Sequence, residues 1–152
     1  MTPRLLFRTL AIAEAITWTL LIAGMLLKYV AQVGDWPVLV AGSIHGIVFI
    51  SYAVTAVLVG MNQRWRIPLL VLAVATAIVP YATIPFDVWA DRSGRLDGHW
   101  RTTPTEDARD HTLVARLFRW MLNHVAVLAS LLVIAVIAIT TVLLIIGPPK
   151  LS

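Results

Sequence analysis

Four apolar runs, at roughly 5–27, 38–61, 67–89 and 121–146, dominate the chain. Each is close to the ~20 residues that a helix needs to cross a bilayer. With 59% of 152 residues hydrophobic and 13% charged, a soluble fold could not cover its core with polar surface. The expectation is an all-α, polytopic bundle of four transmembrane helices, multi-pass in a cell membrane. The third run is the weakest helix, because Pro68, Pro80 and Pro85 each remove a backbone donor that lipid cannot replace. Pro68 falls at a helix start, where it does no harm. Pro80 and Pro85 predict a kink, or a helix that ends early near Phe86.

Arg4 and Arg8 before an apolar run look like a signal peptide. Glu14 interrupts that run and Lys28 follows it, so a retained helix is expected. There is no cysteine, which excludes disulfides and thiolate metal sites. The net charge of +4 does not point to nucleic acid, because the arginines flank apolar segments as topology signals do. Several of the six tryptophans also sit near run boundaries, as interfacial belts require.

Three regions follow. Residues 1–90 form a three-helix membrane domain, 90–120 a charged loop with an amphipathic helix, and 121–152 the fourth span and a short tail. Thr103, Pro104 and Glu106 compose a capping box that predicts a helix beginning at Pro104. Along it Leu113, Leu117 and Met121 line one face and Arg109, Arg116 and Arg119 another, a pattern suited to anionic lipid headgroups. The same helix running unbroken into the fourth span is the other option. Orientation stays open. Arg4, Arg8, Arg64, Arg66 and Lys150 fall on one side and Lys28, Arg92, Arg95, Arg116 and Arg119 on the other, five against five.

The chemistry-bearing candidates are the polar groups inside the apolar runs. Counting ~1.5 Å per residue outward from each turn puts Glu14, Tyr52 and Thr76 in one layer. His45, Asp87 and His124 fall in a second, nearer the end marked by Lys28. A charged carboxylate in a span costs on the order of 3 kcal/mol, so Glu14 should be neutral, paired with a donor such as the Tyr52 hydroxyl, or facing a wet cavity. His45 lies between Gly42 and Gly46, a small-xxx-small spacing that lets a neighbouring helix approach. It reads as an internal hydrogen-bonding strut, with a proton-sensitive switch as the functional alternative. A lone histidine cannot hold zinc, although His45 and His124 together could clasp a haem. No catalytic motif is present, so an enzyme is not expected.

Beyond these readings, the first 90 or so residues resemble a bacterial family of small integral membrane proteins with a His-Gly motif, domain of unknown function 3817. The matching pieces are Glu14-Ala15, Lys28-Tyr29, Gly42-Ser43-Ile44-His45-Gly46 with Phe49 and Tyr52, and Pro80 followed by Phe86-Asp87. The resemblance implies a helical membrane domain of about three spans with no established activity; residues after about 90 look like an extension. The combined expectation is a small structural or accessory membrane subunit, without metal or cofactor, that packs against itself or another membrane protein. The alternative is a proton- or metal-linked transporter using Glu14 and His45. A bis-histidine haem protein is a remote one.

Overall fold

A computed structural model describes residues 1–104, 106 and 111–146. All regular elements among them are helical. They divide into two compact units, residues 1–98 and 99–152.

The first unit is built on two long helices, α1 (Pro3–Tyr29) and α2 (Trp36–Asn62), 27 residues each. At ~1.5 Å per residue either reaches ~40 Å, more than the ~30 Å hydrocarbon core. Both are long and apolar enough to cross a membrane. Thr2 caps α1, its hydroxyl accepting from the Leu5 N–H at 3.2 Å, and Pro3 opens the first turn. Beside a core of Phe7, Ile50, Tyr52, Leu58 and Val59, their interior faces carry small and polar residues: Ala11, Glu14 and Thr17 on α1, Ala41, His45, Thr55 and Ala56 on α2. Outside, the same helices expose Leu5, Ile12, Ile16 and Leu20, and Leu39, Val40, Ile44 and Ile47. Water would reject that arrangement and lipid favours it, because small residues let helices pack closely while large aliphatic groups meet acyl chains.

The expected third span is not one helix. α3 (Ile67–Ala75) ends after nine residues in a 3-10 turn, Thr76–Ile78, and a separate helix α4 (Thr83–Arg92) follows. Pro80 is the cause. The residue before it, Val79, is driven to extended backbone at φ −103°, ψ 123°, and Tyr81 then turns through φ 65°. Pro85 does not break α4, because it sits in the first turn, where its missing N–H had no helical partner. The expected early end near Phe86 is therefore replaced by a helix running through it.

The direction of α4 decides the topology. Arg4 meets Asp91 and Arg8 meets Asp87, so α4 runs antiparallel to α1 and finishes beside its start. A through-going third span would run parallel to α1 and finish beside Lys28. Consistently, the Trp65 indole in the α2–α3 turn donates to the Arg95 carbonyl at 3.0 Å, tying the chain after α4 to the point where α3 begins. Residues 67–92 thus form a helical hairpin that folds back on itself. Its inward leg rises only about 20 Å, short of the ~30 Å core.

The α1–α2 register also departs from simple counting. Gly24 lies against the start of α2, where an added Cβ would stand 2.9 Å from the Pro37 carbonyl oxygen and 3.3 Å from the Ala41 Cβ. The connection, with Gln32 at φ 53° and Gly34 at φ 108°, folds back along the last turns of α1 instead of closing symmetrically. Lys28 and Asp35 clasp it at 3.0 Å. The close crossing is at Gly24, not at the small-xxx-small pair: a Cβ on Gly42 would meet only Leu21 at 3.8 Å, and one on Gly46 nothing within 4 Å.

In the second unit, α5 (Leu113–Asn123) begins nine residues later than the capping box at Thr103 predicts. Thr103, Pro104 and Glu106 are not helical. Thr112 is the cap, its hydroxyl accepting from the Ala115 N–H at 3.2 Å. Arg109 lies outside the described residues. Nor does α5 continue into the last apolar run: His124, at φ −115° and ψ 66°, separates it from α6 (Val125–Ile146). His124 therefore stands at the break between two helices instead of inside a span beginning at residue 121.

Candidate functional site: a polar layer under the α3–α4 hairpin

A helix broken inside a membrane leaves carbonyls that lipid cannot satisfy, and such backbone persists only where protein supplies the donors. α1 and α2 supply them here. The Tyr52 hydroxyl lies 3.2 Å from the Ala73 carbonyl and 3.0 Å from the Thr76 hydroxyl, which itself donates to Ala73 at 2.6 Å. Trp18 donates from its indole to the Ala77 carbonyl at 3.2 Å. In return the Thr83 hydroxyl, at the start of α4, donates to the Ala11 carbonyl of α1 at 3.0 Å. The predicted level of Tyr52 with Thr76 thus holds.

Glu14 belongs to a different pairing from the one that counting implied. Tyr52 packs against Phe7 in a tilted contact, with ring centroids 5.5 Å apart, two helical turns from Glu14. Glu14 instead comes level with His45, its Oε2 3.8 Å from the imidazole Nδ1. That distance is too long for a hydrogen bond. The intermediary is Thr17: its hydroxyl donates to the Glu14 carbonyl at 3.0 Å and sits 3.1 Å from His45 Nδ1. With the threonine proton so committed, a hydrogen on Nδ1 satisfies both groups. The His45 ring packs against Trp18 at 4.5 Å and Phe49 at 6.2 Å. Glu14 is wholly buried and neither carboxylate oxygen has a hydrogen-bond partner. The two expected layers are therefore redistributed, with Glu14 and His45 sharing one.

Asp87 does not reach His45. Its Oδ2 takes Arg8 Nε at 2.9 Å, while Arg8 Nη2 and Arg4 Nη2 both donate to Asp91 Oδ2 at 2.7 Å. Two arginines four apart on α1 thus face two aspartates four apart on α4. Lys28 pairs with Asp35 and lies 5.0 Å from the Tyr29 ring centroid. His124 belongs to the second unit, where its ring stacks on Trp120 at 4.6 Å and its Nδ1 lies 2.8 Å from the Trp120 carbonyl oxygen. No group of three or more metal-capable side chains occurs among the described residues. Counting depths missed Arg8, Thr17 and Trp18 as partners, although the matched four-residue spacings of Arg4-Arg8 and Asp87-Asp91 were visible.

The Arg8 hydrogen bond, with Arg4 adding to it, holds the Asp91 carboxyl below its ordinary value of 3.8. A depressed folded-state value means that this contribution is fully present above about pH 4 and is lost as pH falls through the folded value. In detergent melts, wild type should therefore exceed Asp91→Asn at pH 7. The gap should close below about pH 4.

Residues 5–92 match the family model described as Domain of unknown function (DUF3817). The chain belongs to this family. The match spans nearly all of α1, α2 and the α3–α4 hairpin, so the family's domain coincides with most of the first unit. Within it, the histidine of the His-Gly motif meets the glutamate of Glu14-Ala15, and the Asp87 of Phe86-Asp87 meets Arg8. A protein of Streptomyces coelicolor named "Putative membrane protein SCO5905" is 43% identical over 98 residues, 62% of this chain. This chain spans only 12% of that protein's length. No solved structure matches. The family and this relative agree with the apolar faces of α1 and α2: the protein is a membrane protein whose biochemical activity is unknown.

Proposed function

We propose that the chain is a multi-pass protein of the cell membrane, with α1, α2 and α6 as crossings and α3–α4 re-entrant, acting as a small structural or accessory subunit. One observation carries the reading. Apart from the Glu14 carboxyl, the polar side chains described above within the apolar runs are spent on the broken hairpin and on one another: Tyr52, Trp18 and Thr83 bridge backbone carbonyls, and Thr17 serves His45. At ~33 Å, α6 is long enough for a third crossing. α5, with Leu113 and Leu117 exposed beside Arg116, suits the headgroup layer, where anionic lipid is the partner. The hairpin also bears on orientation. In residues 1–98, Arg4, Arg8, Arg64, Arg66, Arg92 and Arg95 gather at one end and Lys28 alone lies at the other, a bias that supports a cytoplasmic N-terminal end.

The scaffold reading has a direct test in Glu14→Met. No hydrogen bond to the carboxyl is lost, so the variant should melt at or above wild type, by up to about 1–3 kcal/mol. Proteoliposomes of both should show the same flat proton flux under a pH gradient. A flux that requires Glu14 would replace the scaffold with a transporter.

A further inference from the structure

A second polar feature lies away from the buried layer, at the end of the first unit where α2 stops, α3 starts and the chain leaves α4. A cleft of about 770 Å³ opens there, lined by Gln63, Arg64, Trp65, Arg66, Trp89 and Arg95, with Pro68, Leu69 and Ser93 completing the wall. Its size falls within the ~300–1,000 Å³ of small-ligand sites. Three of its lining residues are arginines and none is acidic.

How the chain builds it argues for a purpose. Gly60 leaves room for the Trp65 ring, which an added Cβ would meet at 3.1 Å, and Trp65 folds inward against Phe7 and Phe86 at 5.9 and 6.0 Å. Its indole then fixes the Arg95 carbonyl across the cleft. Arg95 turns its guanidinium over the Trp89 ring at 4.5 Å, an arrangement that orients the fork while leaving its N–H groups for a ligand. Arg64 sits at φ 55°, a left-handed conformation costing a non-glycine residue on the order of 1 kcal/mol. Where glycine or asparagine would turn more easily, the chain carries an arginine, and strain of this kind gathers at ligand sites. The amide nitrogen of Gln63 is buried without a hydrogen-bond partner. α3 also begins at this wall, but Pro68 lacks an N–H and the Leu69 N–H is bonded to the Arg66 carbonyl at 2.9 Å, so the donors of the cleft are its side chains.

We propose that this cleft binds a phosphate group, supplied by the headgroup of an anionic phospholipid, through Arg66 and Arg95 with Gln63. Phosphate is the chemistry that fits planar guanidinium forks and an amide donor together. The proposal rests on the membrane reading, which puts the cleft at the arginine-rich end among headgroups, where basic pockets between helices retain anionic lipid.

The test uses the full chain in nanodiscs of phosphatidylcholine alone or with phosphatidylglycerol, comparing wild type, R66Q/R95Q and, as a control of charge at the opposite end, K28Q. Incorporation into the phosphatidylcholine discs checks the membrane reading separately. Wild type and K28Q should hold phosphatidylglycerol through mass-spectrometric release, with retention about tenfold weaker for each arginine lost. Inorganic phosphate titrated into the phosphatidylcholine discs forms the second arm. Binding there that R66Q/R95Q abolishes would uphold the phosphate site with a soluble source. Equal retention in wild type and R66Q/R95Q, or an equal fall in K28Q, would overturn it.

Discussion

Single cysteines at Gln63 and Ser93 will react with a membrane-impermeant maleimide from one side of the bilayer, and a cysteine at Ala31 from the other. The chain has no native cysteine, so each variant reports one position. Gln63 follows α2, Ala31 follows α1 and Ser93 follows α4, which makes residue 93 the discriminating site. If residues 67–92 crossed the membrane, Ser93→Cys would label with Ala31→Cys. The ion pairs of Arg4 and Arg8 with Asp91 and Asp87 require it to label with Gln63→Cys, and the readout is all or none. Orientation comes from the same variants. With the re-entrant hairpin the six arginines of residues 1–98 share one end, whereas a through-going span would leave four cations facing three. The re-entrant arrangement therefore predicts labelling of positions 63 and 93 from the cytoplasmic side. Ser93→Cys reacting from outside intact cells together with Ala31→Cys would restore a third crossing.

What the sequence made legible follows from which physics it displays directly. Lipid as solvent is written into composition and run length, so helical class and the two long helices could be read without coordinates. A hydropathy window averages over direction and cannot say whether an apolar run goes through or turns back. Pro80 marked the break, but the evidence for reversal was the pairing of two arginines four apart with two aspartates four apart, which is sensible only for antiparallel helices. Register failed for a related reason. Counting outward from residue 33 treats the connection as a symmetric turn, whereas Gly24 lets α2 start alongside the penultimate turns of α1. That shift moves Glu14 from Tyr52 to His45 and gives Tyr52 to Phe7. The capping box at Thr103 met every local rule, yet Thr112 is the described cap, directly before Leu113 where the apolar periodicity starts. Local capping signals compete, and the one adjoining a face with apolar contacts to offer prevails.

Arg8→Leu should be the most destabilising single substitution at the junction of α1 and α4. Asp87 is buried, with side-chain exposure of 5%, and its Oδ2 depends on Arg8 while its Oδ1 has no hydrogen-bond partner at all. Removing the guanidinium leaves a carboxylate without a counter-charge, a loss of about 3–5 kcal/mol for a buried pair. Arg8 is itself about a third exposed, so the lower end, ~3 kcal/mol, is expected. Arg4 provides the contrast. Its side chain is 49% exposed and its partner Asp91 retains Arg8, so Arg4→Gln should cost no more than ~1 kcal/mol. Arg8→Lys should fall between the two, because one ammonium cannot reproduce the fork that reaches Asp87 through Nε and Asp91 through Nη2. Thermal melts in detergent read all three. The double variant Arg8→Leu/Asp87→Leu isolates the cause: with both charges gone the desolvation penalty disappears, and most of the loss should be recovered. If the double variant melts as low as Arg8→Leu alone, the arginine stabilises α1 through packing of its stem, and Asp87 is not the group that depends on it.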